Sequence, residues 1–365
     1  MPWPAPAERR SPGQLARIFQ RFGAREAPQL SARLYAALCP AIAADDDLLA
    51  VAASASPTQP PPNLLFGAVH YLLLDGRHDP LSAFYPDLAP TGSAADPLHA
   101  FPHFRDFVLR NRTQIETLIA GRRVQTNVIQ RCTCLLPAFA HVADAAPEHA
   151  LALLEIGPSA GLNLAWDRYG YRYHGATDAR WGDPSAPVQL DAELRGAVDL
   201  PPLPANLPVA WRAGLELHPV DITNDDQVRW LRALIWPEHV ERHQRLAAAI
   251  AVARQRPPRI VPGDATTDLA SLLTEAPIDA ALCVFATHAL YQVPDECRQR
   301  IDAALQNAAQ LRPVWFLSME GTGPDYSQLF LHRCASGDHT ITHLADCNAH
   351  GRWIEWRAGR PILPS

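Results

Sequence analysis

The stretch of sequence that decides the fold is LALLEIGPSAGLNL, residues 151–164. Its first six residues, LALLEI, are almost all apolar and too few for a stable helix. They predict a strand buried on both faces, as in a parallel sheet. Gly157 and Gly161 follow, and the pattern indicates a helix from about Leu162. A ligand can lie against such a turn, because glycines allow close approach and a helix start offers N–H groups.

Three kinds of ligand or catalytic site use this strand–turn–helix geometry. The dinucleotide fingerprint G-x-G-x-x-G does not fit, because its second glycine would fall at Ser159. The hydrolase elbow G-x-S-x-G fits from Gly157 to Gly161, with Ser159 as the nucleophile. A third pattern, acid-x-Gly-x-x-x-Gly-x-Asn, begins at Glu155 and ends at Asn163. It resembles the first motif of class I S-adenosylmethionine-dependent methyltransferases, which implies that the turn lies under the methionine part of the cofactor and that the acid helps to hold it.

Charge and composition narrow the partners and the compartment. The net charge of −6 provides no overall basic field for nucleic acid. No apolar run approaches the roughly 20 residues of a membrane span, and the N-terminal MPWPAPAERRSPG lacks the apolar core of a secretory signal. Seven scattered cysteines indicate reduced thiols. We therefore expect a cytoplasmic protein that acts on a small molecule, without nucleic acid or membrane as a partner. The oligomeric state stays open.

The chain contains no lysine, so all its strongly basic side chains are arginines. This excludes a lysine Schiff base and the lysine of a phosphate-binding loop. Pyridoxal-phosphate enzymes, Walker-type nucleotidases and ordinary protein kinases are excluded with them.

The length of 365 residues suits two domains. Residues 1–145 have helical periodicity and predict a helical cap domain, with Pro40 ending one helix and another helix over Val124–Val142. Residues 146–365 alternate strands with helices, apart from an excursion at about 169–208, and predict a parallel sheet. The predicted later strands are Trp211–His218, Arg259–Pro262, Ile278–Phe285 and Val314–Ser318, followed by an antiparallel pair, Leu329–Arg333 and Thr340–Asp346.

The order of these strands extends the methyltransferase resemblance beyond the first motif. The resemblance implies that Glu216, at the end of the second strand, holds the ribose hydroxyls, although Asp221 competes for that role. It also implies that Asp264 and Ala265, in the turn after the third strand, contact the adenine. We therefore expect an α/β fold, with a Rossmann-like sheet of the class I methyltransferase type preceded by an N-terminal helical cap.

Other motifs, spread over nearly the whole chain, resemble a narrower group. This group is an uncharacterised bacterial family, domain of unknown function 2332. The resemblance implies a methyltransferase-like cofactor domain but no particular reaction. The motifs are Pro62-Asn63-Leu64-Leu65-Phe66, Val69-His70-Tyr71-Leu72, Arg123-Val124-Gln125-Thr126-Asn127, Trp181-Gly182-Asp183-Pro184 and Trp236-Pro237-Glu238-His239.

Candidate catalytic and substrate residues lie on two segments. His288 and Tyr291 follow the fourth strand, a place that faces the methyl acceptor in the methyltransferase pattern. An unperturbed histidine has a pKa near neutral, so His288 is a candidate base; the alternative is that it packs or caps the loop. The polar stretch from Arg123 to Arg131 precedes the first strand. Its side chains are candidates to donate hydrogen bonds to a substrate; the alternative is that they only connect the cap to the sheet. Its candidate residues are Arg123, Gln125, Asn127 and Arg131.

Histidines and cysteines near the C-terminus do not predict a metal site. His339 and His343, four residues apart on one strand, would lie roughly 13 Å from each other. Cys132 and Cys134 fall in a predicted helix, where such side chains diverge, so we expect both in the core. We expect no bound metal.

The function that these patterns favour is methyl transfer from S-adenosylmethionine to an unidentified small molecule. One alternative is a protein that binds this cofactor without transferase activity. The other is a serine hydrolase that uses Ser159. In the first case, we expect the helical cap to cover the acceptor pocket, with Arg123 and Asn127 as donors and a carboxylate or phosphate of the substrate opposite Arg123.

Overall fold

The structure, a computed structural model, describes residues 10–29, 31–76, 78–89, 94–291, 293–321, 326–357 and 361–362. The chain divides into two compact units. Among the described residues, the helical unit comprises residues 10–126 and Thr223–Leu246, and the sheet unit comprises Asn127–Ile222 and the residues from Ala247 onward. The boundary between the units therefore differs from the expected one at 145/146. The sheet unit includes residues 127–145, and the helical unit includes Thr223–Leu246 from the second half of the chain.

The α-helices of the described residues are numbered α1–α12 in chain order. They are α1 Pro12–Arg21, α2 Ala27–Gln29, α3 Arg33–Ile42, α4 Asp46–Ala52, α5 Pro61–Leu73, α6 Ala100–Arg110, α7 Arg112–Gly121, α8 Cys132–Ala145, α9 Asp225–Ala233, α10 Val240–Gln255, α11 Leu269–Glu275 and α12 Asp295–Ala308. A π-helical segment, Phe22–Glu26, and four 3₁₀ segments, Pro80–Phe84, Pro97–His99, Ile129–Arg131 and Leu162–Arg168, complete the helical structure of that part of the chain.

Two sequence predictions about helix ends are wrong. Helix α3 continues through Pro40 to Ile42, because the burial of Cys39 and Ile42 in the core holds the last turn despite the missing N–H. The helix predicted over Val124–Val142 begins only at Cys132. The N–H of Val124 donates to the side chain of Gln59 at 2.8 Å instead of to a preceding carbonyl, and residues 122–128 are not helical.

The strands of the described residues, numbered in chain order, all join one sheet in the sheet unit. Its spatial order is β3-β2-β4-β11-β10-β9-β8-β7-β1-β5-β6, and β12 pairs with β10. The bounds are β1 Leu151–Ile156, β2 Gly170–His174, β3 Ala179–Trp181, β4 Gln189–Arg195, β5 Val209–Glu216, β6 Ile260–Pro262, β7 Ala281–Thr287, β8 Val314–Gly321, β9 Ser327–Ala335, β10 Asp338–Cys347, β11 Trp353–Trp356 and β12 Pro361–Ile362.

The predicted α/β character is confirmed. Strand β1 is buried along its whole length and pairs in parallel with β5 on one side and β7 on the other. β6 extends the parallel set beyond β5, and β8 extends it beyond β7. The antiparallel pair near the C-terminus is confirmed as β9 and β10. The excursion at 169–208 contains β2, β3 and β4, which lengthen the same sheet at its far edge.

The chain reverses its direction of travel across the sheet at β1. After the excursion through β2–β4, it forms β5 and β6 on one side of β1, and it then forms β7 and β8 on the other side. Such a switch point opens a crevice at the carboxyl ends of the parallel strands, and open α/β sheets bind their ligands there. The Gly157 turn follows β1, and His288 follows β7, so both lie at this switch point.

Each unit has a hydrophobic core of its own. In the helical unit the rings of Tyr35 and Phe66 stack with centroids 4.0 Å apart, within a cluster of residues from α1 to α9. In the sheet unit, strands β1, β5, β7 and β8 pack their apolar side chains against α11 and α12. None of the helices in the described ranges combines the length and the apolar character needed to cross a membrane.

Candidate functional site

The turn after β1 depends on three residues with left-handed backbone. Gly157 and Gly161 both have φ of 71°, and Ser159 between them has φ of 55°. A side chain at Gly157 would place its Cβ 2.7 Å from the Cβ of Ala289, in the segment that follows β7. Glycine is therefore required at Gly157 both for its conformation and for close packing across the switch point.

The N–H groups of this turn are used within the protein. The amide of Gly157 donates to the carbonyl of Leu215, and that of Gly161 donates to the carbonyl of Pro158. The amide of Ser159 donates to Oε2 of Glu216 at 2.8 Å. The expected helix after the turn is a kinked 3₁₀ segment, Leu162–Arg168. These three amides of the turn are therefore bonded within the protein, and the expectation of N–H groups free for a ligand at the helix start stays a prediction.

Glu155, the acid at the end of β1, is almost completely buried. Its Oε1 accepts a hydrogen bond from Nδ2 of Asn163 at 3.0 Å. Its Oε2 is buried without a hydrogen-bond partner in the described part of the chain. Burial raises the pKa of Glu155 to about 8, against the hydrogen bond from Asn163, and repulsion from Glu216 adds to the rise. The structure thus brings Glu155 and Asn163 together, as the sequence predicted, around an unsatisfied carboxyl oxygen.

Glu216 is the last residue of β5, lies beside the turn and is buried. Asp221, the alternative acid for the ribose contact, is exposed. Besides the amide of Ser159, the carboxylate of Glu216 accepts from the amide of His218 at 3.1 Å. Both of these donors are backbone amides of the protein, and a carboxylate can accept from several donors at once. Glu216 therefore lies where the sequence analysis expected an acid, and it also fixes the shape of the turn.

Asp264 and Ala265 follow β6 in a tight turn. The carboxylate of Asp264 accepts from the amide of Thr266 at 2.8 Å, and the amide of Asp264 donates to Oδ2 of Asp268 at 2.7 Å. Ala265 packs against the core of the sheet unit. The contact of these residues with adenine stays a prediction.

Two of the four predicted substrate residues lie at the switch point. Nδ2 of Asn127 donates to the carbonyl of Pro158 in the glycine turn at 2.8 Å, while its Oδ1 is buried without a partner in the described residues. Arg131 is buried, and its guanidinium donates to the carbonyls of Thr287 at 3.3 Å and Ala349 at 2.9 Å. Burial lowers the pKa of Arg131 to about 10, so it remains charged at neutral pH.

The other two, Arg123 and Gln125, belong to the helical unit. There the carbonyl of Arg123 accepts a hydrogen bond from the indole of Trp230 at 2.8 Å. Their contact with a substrate, and the cap over the acceptor pocket, stay predictions.

His288 has left-handed backbone, with φ of 52°, directly after β7. Its Nε2 lies 2.8 Å from Oγ of the fully buried Ser327, and its ring makes an edge contact with Tyr291 at 6.1 Å between centroids. Burial, with a smaller contribution from the positive charge of Arg131, lowers the pKa of His288 to about 3. The assumption that this histidine has a near-neutral pKa is therefore wrong. Tyr291 is 52% exposed.

Ser159 has the positive φ of a hydrolase elbow but not its hydrogen bonds. Its Oγ is buried and has no hydrogen-bond partner among the described residues. His288, the candidate base of the sequence analysis, lies with Nε2 at 2.8 Å from Oγ of Ser327. This geometry supplies Ser159 with no activating base.

The sequence profile of a bacterial family, described as "Uncharacterized protein conserved in bacteria (DUF2332)", matches residues 16–356. The match covers most of both units. The chain belongs to the DUF2332 family. Searches of curated proteins and of solved structures found no match.

In this DUF2332 chain, the sequence analysis missed Glu320, near the end of β8. Its carboxylate accepts from the amides of Ala289, Leu290 and Tyr291 at 3.1–3.3 Å, so it fixes the segment that follows β7. Desolvation raises the pKa of Glu320 despite these hydrogen bonds. The signal that could have found it is the same as for Glu155, an acid at the end of a buried apolar strand.

A cavity of about 270 Å³ lies elsewhere in the sheet unit of the DUF2332 chain. It is lined at the amino ends of β5 and β6 by Val209, Arg212 and Arg259, among others. One of these cations is already neutralised, because Arg212 makes a two-pronged ion pair with Asp167 at 2.7 and 2.8 Å. Parallel sheets bind ligands at the opposite, carboxyl ends, so we place the candidate site at the switch point.

Proposed function

We propose that this protein binds S-adenosylmethionine at the switch point between β1 and β7 and transfers its methyl group to a small molecule. The observation that carries the proposal is the pair of buried acids, Glu155 and Glu216, on either side of a glycine turn at the carboxyl ends of adjacent parallel strands. Strand order β6-β5-β1-β7-β8 supports it, because doubly wound sheets that bind nucleotide cofactors arrange their first five parallel strands in this order.

The residues present fit the polar groups of this cofactor. The unsatisfied Oε2 of Glu155 is an acceptor suited to the cationic methionine part, and a carboxylate at the end of β5, such as that of Glu216, is the type of group that accepts from ribose hydroxyls. The internally bonded amides of the turn offer less to a phosphate, which argues against a dinucleotide. When bound, S-adenosylmethionine supplies a methyl group activated by a sulfonium centre. Alignment with the acceptor is then a large part of catalysis.

The surroundings of the site favour a particular class of acceptor. With a pKa of about 3, His288 is too weak a base to remove a proton efficiently at neutral pH. We infer that the acceptor is already nucleophilic when it binds, and that His288 and Glu320 position the segment that carries Tyr291. For a polar group of the acceptor, Arg131 offers a positive charge near the turn and the unpartnered Oδ1 of Asn127 offers a hydrogen-bond acceptor.

Calorimetry of the full chain with S-adenosylmethionine and S-adenosylhomocysteine tests the binding. We expect one site for both ligands, with the product competing against the cofactor. The absence of heat and of thermal stabilisation at millimolar ligand would refute the cofactor site. A turnover assay with candidate amine, thiol and carboxylate acceptors then separates a transferase from a binding protein, since only the transferase releases S-adenosylhomocysteine. Labelling of Ser159 by a fluorophosphonate, with no cofactor binding, would favour the hydrolase.

A further inference from the structure

The helical unit contains a buried cluster of side chains that suit a metal ion. His70 lies on α5, Asp87 follows the 3₁₀ segment Pro80–Phe84, and His243 lies on α10. One ligand atom from each lies within 4.8 Å of the other two. Their side chains are 0%, 4% and 7% exposed. No other such group of histidine, cysteine or acidic side chains occurs in the described residues.

The contacts of His70 show which of its nitrogens faces the cluster. Nδ1 lies 3.1 Å from the carbonyl of Ala233, which requires a proton on Nδ1. Nε2 lies 2.9 Å from Oδ2 of Asp87. A histidine whose Nδ1–H donates to a backbone carbonyl is oriented as metal-binding histidines are, with Nε2 as the ligand atom. Without a second proton or a cation, the lone pairs of Nε2 and Oδ2 would repel each other.

Several polar atoms around this contact lack partners. Oδ1 of Asp87 and Nδ1 of His243 are both buried without a hydrogen bond in the described residues. The same holds for the hydroxyls of Tyr35 and Tyr85, and for Oε2 of Glu238, whose charge repels that of Asp87. The ring of Tyr85 lies 5.2 Å from that of His70. A simple ion pair between His70 and Asp87 leaves all these atoms unsatisfied, at a cost in stability for each.

We propose that His70, Asp87 and His243 bind a divalent transition-metal ion, with Zn²⁺ as the ion that fits best. Tetrahedral Zn²⁺ with bonds of about 2.0–2.1 Å holds its ligand atoms about 3.3 Å apart. The distances from Oδ2 of Asp87 to Nε2 of His70 and of His243, 2.9 and 3.7 Å, bracket that value. Nε2 of His243 also lies 3.3 Å from the carbonyl of Trp236, so binding of the ion would replace that hydrogen bond and leave Nδ1 of His243 protonated. Three protein ligands leave one position for water, which the unpartnered tyrosine hydroxyls and Glu238 suit as hydrogen-bonding neighbours.

An ion at this site would stabilise the fold of the helical unit. The three ligands come from α5, from the segment after Phe84 and from the first turn of α10, so one ion would join three distant parts of the helical unit. Binding to the folded chain alone stabilises it. No sequence motif marks the site, because His70 and Asp87 are 17 residues apart and His243 comes much later in the chain.

The test begins with the full chain as purified. We expect about one Zn²⁺ per chain by mass spectrometry of the metal, and a fall in Tm of about 5–10 °C on chelation that Zn²⁺ alone reverses. Replacement by Co²⁺ should give the visible spectrum of a tetrahedral site without a thiolate charge-transfer band, which separates this cluster from the seven cysteines.

Asp87→Asn and His243→Gln should each lower the metal content at least tenfold, whereas His99→Gln, at an exposed histidine of the same unit, should leave it unchanged. If a variant fails to fold, the chelation and Co²⁺ experiments on the wild-type chain still decide. The proposal would be overturned if wild-type protein incubated with Zn²⁺ bound none and its Tm changed neither with Zn²⁺ nor with chelator. A thiolate spectrum, or retention of the ion in both ligand variants, would also overturn it.

Discussion

The N–H of Ser159 donates a hydrogen bond to Oε2 of Glu216 at 2.8 Å, which joins the turn after β1 to the end of β5. The acid proposed to hold the ribose therefore also holds the glycine turn in its left-handed conformation. Changes at Glu216 must affect turn stability as well as ligand affinity, so the tests below use isosteric replacements and matched controls.

Glu216→Gln should weaken binding of S-adenosylmethionine. The amide removes the charge and one of the two acceptor oxygens, a loss of about 1.5–3 kcal/mol, which corresponds to about 10- to 150-fold in Kd. Calorimetry measures this change. Asp221→Asn, at an exposed acid five positions later, should bind like the wild type. A loss at Asp221 with none at Glu216 would move the ribose contact to Asp221.

Glu155 should make stability fall as the pH rises. Its pKa is near 4.5 when unfolded and about 8 when folded, so between these values the folded state holds a proton that the unfolded state releases. The stabilisation is complete below about pH 4.5 and is lost as the pH approaches 8, at about 1.4 kcal/mol per unit. Glu155→Gln should remove this component in urea unfolding measured from pH 5 to 8. Parallel pH profiles of the two proteins would contradict the assignment.

Cofactor binding should reverse the protonation of Glu155. A cationic ligand beside its carboxyl group favours the charged form and so lowers its pKa. We expect Kd to fall as the pH rises from 6 to 8, with proton release detected by calorimetry in buffers of different ionisation enthalpy. Glu155→Gln should bind more weakly and release no proton. Equal proton release by the variant would assign that proton to another group.

Gly157→Ala should destabilise the fold more than a comparable glycine replacement. Left-handed backbone costs an alanine about 1–2 kcal/mol, and the clash with Ala289 adds about 1–3 kcal/mol. Gly337→Ala is the matched control, because Gly337 has φ of 74° but nothing within 4 Å of its added Cβ. Urea unfolding should show the larger loss at Gly157, and Ala289→Gly should restore part of it. An equal loss in the free energy of unfolding at both positions would mean that Ala289 moves aside without an energetic penalty.

His288→Gln should leave the pH dependence of methyl transfer near neutrality unchanged. A group with a pKa of about 3 does not titrate between pH 6 and 8, so it cannot produce a limb of the rate profile there. We expect a fall in kcat of less than about tenfold, from the lost contact with Ser327. A fall above a hundredfold, with loss of a limb near pH 7, would restore His288 as the base.

The fold class and the main parts of the site were predictable from local sequence. The apolar run of β1, the turn from Gly157 to Gly161 and the acid Glu155 lie within a few residues of each other, so their pattern directly reflects their conformation. The acid Glu216 was predictable because parallel strands bring their carboxyl ends to one edge of a sheet. The end of α3 was not predictable, because burial of Ile42 outweighs the local effect of Pro40.

The sequence by itself determined an α/β chain with a glycine turn after its first parallel strand and acids at the ends of its strands, because these features depend on neighbours in the chain. Only the tertiary structure decided their chemistry. The raised pKa of Glu155 and the lowered pKa of His288 follow from burial by distant segments. The hydrogen bond from the amide of Leu290 to Glu320 joins residues that are far apart in sequence, and so does the cluster that contains His70 and His243. Desolvation and hydrogen bonding depend on which groups fold together, and a linear pattern does not contain that information.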